Sequence, residues 1–403
     1  MASVLAARTS ARAQRTPRGE REELLELAKG LTDLIRLGRG DPDLDTPKVI
    51  VDAAIQALRE GYTHYTHWAG LPELRRAIAQ KLSEDNGLHY DPESEIVVTT
   101  GGQEAMNVIF QGLLDPGDEV LIADPFYTSY ENVVRLAGGT MRYVPTYEEH
   151  DFVLQPDILE EHVTPKTKVL VVVSPNNPTG AVIPPEVLAR ISKIAVEHDL
   201  LVVSDEIYEK LIYDDFKHVS IATFPGMRER TVVINGFSKA YSMTGWRIGY
   251  FAAPAGFVEK IQMIKYTLTI SVNHAAQVAA LAALSPEGKA TIQETVAIYD
   301  ERRRFMMKAL DEMGLTYGYP AGAFYIFANI RPTGRSAFEF CRDLLLDARV
   351  QIFPGTVYGH AEGYVRISLL APIDRLKVAA ERMGEAVQRY IAEANRKGQG
   401  CTS

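Results

Sequence analysis

Lys239 lies in FSKAYSMTGWRIGY, residues 237–250, just after the apolar run TVVIN, and Arg247 follows eight residues later. A primary amine at the end of a strand can condense with an aldehyde, and a guanidinium fork can grip a phosphate. Three further apolar runs end on residues that chemistry can use. LLVVSD delivers Asp205, with Glu206 and Tyr208 close behind, and KVLVVVS leads into PNNPTG, whose prolines present Asn177 on a rigid turn. EIVVTT leads into GGQEAMN, where Gly101, Gly102 and Gln103 open a helix with free backbone N–H groups for an anion. It is no dinucleotide fingerprint, because the third glycine of GxGxxG is missing.

Each feature alone has an ordinary reading: a solvated lysine, a salt-bridged aspartate, a proline turn, a tight glycine turn. Together they offer an anion cradle, a buried acid, a phenol, a rigid amide and an amine. Pyridoxal 5'-phosphate uses all of them. Its aldehyde needs a lysine for a Schiff base, its pyridine nitrogen a carboxylate that keeps the ring an electron sink, and its phosphate an anion site.

Such residues must be carried to one edge of a sheet. Between residues 95 and 253 short β-branched runs (EIVVTT, EVLIAD, KVLVVVS, LLVVSD, TVVIN and GYFAAP) alternate with helical patterns, the signature of parallel strands joined by crossover helices. In open α/β sheets ligands bind at the carboxyl ends of the strands, where these polar residues fall. After about residue 285 long helices surround the strands GAFYIFANI and GYVRISLL, and the last helix spaces Leu376, Ala380, Met383, Val387 and Ile391 three to four apart. This predicts a smaller α+β domain to which the N-terminal segment returns.

The chain has 403 residues, 46% of them apolar, enough for two domains. A net charge of -9 with mixed signs gives no basic stripe, so nucleic acid is not an expected partner, and no apolar run approaches a membrane span. Cys341 and Cys401 form no disulfide or zinc pattern, which fits a reducing cytoplasm. The first nineteen residues carry four arginines and no acid; a transit peptide shares that composition, but a terminal arm is the plainer reading. His64 and His67 form an HxxH pair with no third ligand nearby, so no metal is expected. His274 in SVNHAAQ reads as a satisfied side chain at a helix start.

With RLGRGDPDLDTP, SPNNPTG, SDEIYE, FSKAYSMTGWRIGY and YVRISL in view, the chain resembles the class I/II aminotransferases of fold-type I pyridoxal phosphate enzymes, over nearly its whole length. The resemblance implies an α/β large domain with a mostly parallel seven-stranded sheet sandwiched by helices, plus a smaller α+β domain. The expected borders are 1–48 (arm and part of the small domain), 49–285 and 286–403. It implies that Lys239 carries the Schiff base and moves the proton between substrate and cofactor, and that Asp205 pairs with the pyridine nitrogen. Asn177 and Tyr208 would bond the phenolic oxygen, the amides at Gly102 and Gln103 with Ser238 and Arg247 the phosphate, and Tyr127 would stack on the ring. Arg366 would clamp the substrate α-carboxylate beside Gly40, and Tyr65 would reach the phosphate of a neighbouring subunit, which implies a homodimer.

Two positions depart from the family pattern. Gly236 stands where relatives place a hydroxyl that touches the phosphate, and Arg39 stands where they place an apolar residue. A guanidinium at 39 either meets a second carboxylate on the substrate or faces solvent and pairs with Asp41 or Asp43. The expected reaction is amino transfer between an L-amino acid and a 2-oxo acid. A β-eliminating lyase is the alternative on the same scaffold, and a ligand-sensing transcription regulator a remote one. The Asn177–Pro178 bond is expected to be cis, to hold Asn177 toward the ring.

Overall fold

The computed structural model describes residues 4–10 and 19–399, so Arg12, Arg15, Arg18 and Cys401 lie outside the described residues. In chain order the strands are β1 (Ile35–Arg36), β2 (Ile96–Thr99), β3 (Glu119–Asp124), β4 (Thr140–Pro145), β5 (Thr167–Val173), β6 (Leu201–Asp205), β7 (Thr231–Gly236) and β8 (Gly249–Ala252). They continue with β9 (Tyr325–Asn329), β10 (Val350–Gln351), β11 (Phe353–Pro354) and β12 (Tyr364–Ser368).

The large sheet has the order β2-β8-β7-β6-β5-β3-β4. Its interior strands are apolar on both faces because both faces are covered. Along β5, Val169, Val171 and Val173 pack on Ile109, Phe110 and Val133, whereas Leu170 and Val172 pack on Leu188, Ile191 and Ala195. A third cluster seats Val98, Val233 and Tyr250 against Ile50, Ile78 and Ala280.

Strands β3 to β7 pair in parallel, but β8 runs antiparallel to both β7 and β2. This corrects the reading of GYFAAP as one more parallel strand. The segment between β7 and β8 holds turns and no crossover helix, and a parallel return needs such a crossover. The edge strand β4, TMRYVP, was not among the expected runs; it is half-exposed and mixes polar with apolar residues, so its pattern is weak.

A second sheet, β11-β12-β9, is antiparallel and backed by the helices Pro286–Met313 and Ile373–Gln399. Leu376, Ala380, Met383 and Val387 are buried along the last helix, and Ile391 is partly buried, as their spacing predicts. The N-terminal segment does return: β1 pairs in parallel with β10, and Asp43 takes both terminal nitrogens of Arg302, at 2.7 and 3.0 Å. No helix among the described residues is long and apolar enough to cross a membrane.

Candidate active site

Asp205 is the last residue of β6, a strand of the sheet interior, and its carboxylate is therefore buried as it leaves the sheet. Tyr130 Oη donates to Oδ2 at 2.6 Å and the Ile207 N–H to Oδ1 at 3.2 Å. Burial raises the Asp205 pKa, while these two hydrogen bonds oppose the rise. Among the described residues no cation forms an ion pair with it. A buried carboxylate so placed suits a protonated ring nitrogen.

Lys239 follows β7 and is partly buried, its Nζ donating to the Gly40 carbonyl at 2.6 Å. The amine lies 5.8 Å from the ring centre of Tyr208 and 5.7 Å from that of Phe324. Burial, reinforced by the charges of Arg366 and Arg247 and opposed by Asp41 and Asp205, lowers its pKa to about 8. A fraction of the amine is thus a nucleophile near neutral pH.

Arg366 sits on β12 and reaches across to the large sheet. Its Nη1 donates to Asn177 Oδ1 at 2.9 Å and Nη2 to the Gly38 carbonyl at 2.5 Å. The guanidinium carbon lies 4.3 Å from the Tyr325 ring centre and 4.4 Å from that of Tyr358. Nε is buried with no protein partner, so the cation has hydrogen-bonding capacity left for a carboxylate.

The anion cradle is equally specific in shape. Gly101 has φ +72°, and a Cβ there would stand 2.7 Å from Arg247 Nη2. A Cβ on Gly249 would stand 3.1 Å from the Gly102 nitrogen, so β8 presses against the same turn. The helix Gly101–Leu113 begins here, leaving the first-turn amides, Gly102 and Gln103 among them, without intrahelical partners. Arg247 donates through Nη1 to the Thr244 carbonyl at 2.7 Å and has no carboxylate partner among the described residues. The cradle and the free guanidinium fit a phosphate.

Most of the residues expected from the sequence converge. Lys239, Gly40, Tyr208, Asn177 and Arg366 form one connected group, Gly101 and Arg247 another, and Tyr127 reaches Asp205 through Tyr130, its ring edge-on at 6.4 Å. Ser238 is buried next to Lys239. Tyr65 is 80% exposed in a loop and touches none of these groups. Arg39 is exposed and forms no ion pair among the described residues; Asp43 is taken by Arg302 and Asp41 accepts from Thr244, so of the two readings that leave it off the substrate, facing solvent is the one that fits.

Two other expectations are corrected. The Asn177–Pro178 bond is trans, and the cis bonds are Asp124–Pro125 and Ser174–Pro175. The turn is closed by Gly180 N–H to the Asn176 carbonyl and Asn176 N–H to the Ala181 carbonyl, both 2.9 Å, and Arg366 fixes the Asn177 amide, so a trans bond suffices. His274 is not satisfied: its ring stacks on Tyr62 at 4.8 Å, but Nδ1 is buried without a partner. Gly236 also has its reason, since a Cβ there would meet Gly249 Cα at 2.9 Å.

Sequence reasoning missed Tyr130 and Tyr325. Tyr130 orients Asp205; Tyr325 Oη lies 3.1 Å from Tyr208 Oη, and a Cβ on Gly40 would come within 2.5 Å of that same oxygen. Tyr130 lies three residues after Tyr127 in DPFYTSY, and Tyr325 lies in the strand GAFYIFANI, where no motif marked either.

The family model for class I and II aminotransferases matches residues 32–383. The chain is 46% identical to an aspartate aminotransferase of Pyrococcus abyssi, over 92% of this chain and 95% of that one. It is 43% identical to aromatic-amino-acid aminotransferase 2 of Thermococcus litoralis, with the same coverage. A solved structure of Thermus thermophilus aspartate aminotransferase with maleate is 40% identical, with a TM-score of 0.89 over 94% of this chain and 99% of that one.

Proposed function

The chain belongs to the class I and II aminotransferases, and from that premise we propose how its own residues carry the transfer of an amino group from an L-amino acid to a 2-oxo acid. The cofactor we assign is pyridoxal 5'-phosphate, which, once bound, supplies the aldehyde that accepts the amino group and the ring that holds the electrons of the broken Cα–H bond. The single observation that carries this reading is the Lys239 amine, lowered to about 8, at the same sheet edge as the buried, cation-free carboxylate of Asp205.

In this reading Lys239 would hold the aldehyde carbon, and its free amine would move the proton at the substrate α-carbon. Asp205 accepts from the ring nitrogen, and Asn177 and Tyr208 bond the phenolic oxygen. Gly102, Gln103, Ser238 and Arg247 bind the phosphate, while Tyr127 covers one ring face. Arg366, with Gly40 beside it, receives the α-carboxylate. The first amino acid leaves as its 2-oxo acid before the second 2-oxo acid takes the group.

We further propose a cytoplasmic homodimer in which Tyr65 bonds the phosphate of the neighbouring site, and a division of the chain into 1–48, 49–285 and 286–403. Dicarboxylic substrates are favoured by the aspartate aminotransferase and maleate-bound relatives and by the unpaired Arg39, which is free to meet a second carboxylate.

The test adds pyridoxal 5'-phosphate to the full chain and traps the link with borohydride. Reduction should fix the cofactor to Lys239, and Lys239→Ala should lose the imine absorbance with turnover; label on another lysine would refute the site. A panel of amino acids run on wild type and Arg39→Leu then reads specificity. Equal loss for acidic and neutral substrates, or no loss, would exclude Arg39 as the reader of the side chain.

A further inference from the structure

Behind the turn that carries Asp205 and Tyr208 lies a group of charges that amino transfer does not use. Glu206, Glu209 and Lys81 are buried, and the His218 side chain is only 8% exposed. Glu206 Oε1 accepts from Ser204 Oγ at 2.8 Å and Ser220 Oγ at 2.5 Å, and Oε2 accepts from His218 Nε2 at 2.9 Å. Glu209 Oε1 pairs with Lys81 Nζ, and its Oε2 accepts from Asn86 Nδ2 at 2.7 Å. One ligand-type atom from each of Glu206, Glu209 and His218 lies within 4.8 Å of the others. Lys81 pairs with Glu209 and also donates to Asn86 Oδ1 at 2.8 Å, while His218 Nδ1 is buried with no partner among the described residues.

Charge counting favours a proton on His218. Two carboxylates against one ammonium would leave a net negative charge in a low-dielectric interior, which is disfavoured; an imidazolium at His218 brings the sum to zero. Burial opposes that proton, but the adjacent Glu206 carboxylate and then Glu209 outweigh it, and the His218 pKa is raised above the ordinary histidine value. Of the other groups facing the cluster, burial keeps the Tyr90, Tyr241 and Tyr250 phenols protonated, and Lys210 and Asp85 pair at 2.7 Å.

The two acids occupy telling places in the chain. Glu206 directly follows Asp205 and Glu209 directly follows Tyr208, so anchoring the first pair of residues fixes the second. Resting on the assignment of Asp205 and Tyr208 to the cofactor, we propose that Glu206, Glu209, Lys81 and protonated His218 form a charge-neutral clamp. The clamp holds the turn 205–209 in its binding geometry, with His218 as a positioning residue. Losing the His218 proton leaves Glu206 and Glu209 with one cation between them, and the turn loosens.

Folding raises the His218 pKa above its unfolded value. Its stabilisation is therefore complete below the unfolded pKa and is lost as pH rises through the folded pKa. The test uses the full chain with 13C-labelled histidine. His218 should titrate above the ordinary histidine value, and Glu206→Gln should bring it down. Cofactor affinity is then measured against pH in wild type and His218→Gln, whose ratio cancels the contribution of the Lys239 amine. Affinity should be several-fold weaker in the variant at low pH, with the two curves converging as pH passes the wild-type His218 pKa. A His218 that titrates at or below the ordinary value, or a ratio that does not change with pH, overturns the clamp. If neither variant folds, wild type decides alone: titration of His218 with no inflection in affinity at the same pH overturns it. A wild type that binds no pyridoxal 5'-phosphate instead refutes the cofactor assignment, while the His218 titration remains readable.

Discussion

Tyr130 favours the ionised form of Asp205, because its hydroxyl is the nearest donor to the carboxylate and opposes the rise in pKa that burial causes. Tyr130→Phe removes a hydrogen bond to a charged acceptor, worth about 1.5–3 kcal/mol, so cofactor affinity should fall roughly ten- to a hundredfold with the far-ultraviolet spectrum unchanged. Unchanged affinity would mean that Tyr130 is packing only. Lys239 makes a second prediction at this scale. In the cofactor-free protein its rate of imine formation with pyridoxal 5'-phosphate should climb through pH about 8, as the free amine appears, and level off above. Stopped-flow absorbance across pH measures it, and a midpoint near the ordinary lysine value of about 10.4 would contradict the effect of burial. Lys239 and Asp205 stood out because Asp205 ends an apolar run and Lys239 closely follows one. Tyr130 and Tyr325 were not, because a buried aromatic looks the same in sequence whether or not its hydroxyl has a task.

The strand ends work as a set because β7 and β8 come close enough to exclude side chains between them. Gly236 faces Gly249 across this pair, and the position where relatives carry a hydroxyl has no room for one here. Gly236→Ser should therefore destabilise the fold by about 1–3 kcal/mol, the usual effect of overpacking, and should not strengthen cofactor binding. Thermal unfolding and a binding titration check both halves; a variant that binds the cofactor more tightly would show that the strands can part. Strands β3, β5, β6 and β7 were readable as continuous apolar runs. The antiparallel course of β8 was not, because a strand covered on both faces has the same composition in either direction.

The exposed residues Ile55, Leu58, Tyr62, Tyr65, Met263 and Tyr266 leave apolar surface on one chain of the kind a subunit interface covers. Light scattering should give twice the 44.7 kDa chain mass, and Tyr65→Phe should weaken cofactor retention by the loss of one charge-assisted hydrogen bond, about 1.5–3 kcal/mol, without dissociating the dimer. A monomer that binds the cofactor with full affinity would remove Tyr65 from the site. By itself the sequence determined which residues sit at strand ends, since apolar period and polar termini are local properties, and its motifs carried the resemblance to the family. Only the tertiary structure decided which of them meet. Arg366 finds Asn177, 189 positions away, Lys239 finds Gly40 across 199, and His218 meets Glu206 at 2.9 Å. Those pairings depend on burial and dielectric, which a residue acquires from its neighbours in space and not from its neighbours in the chain.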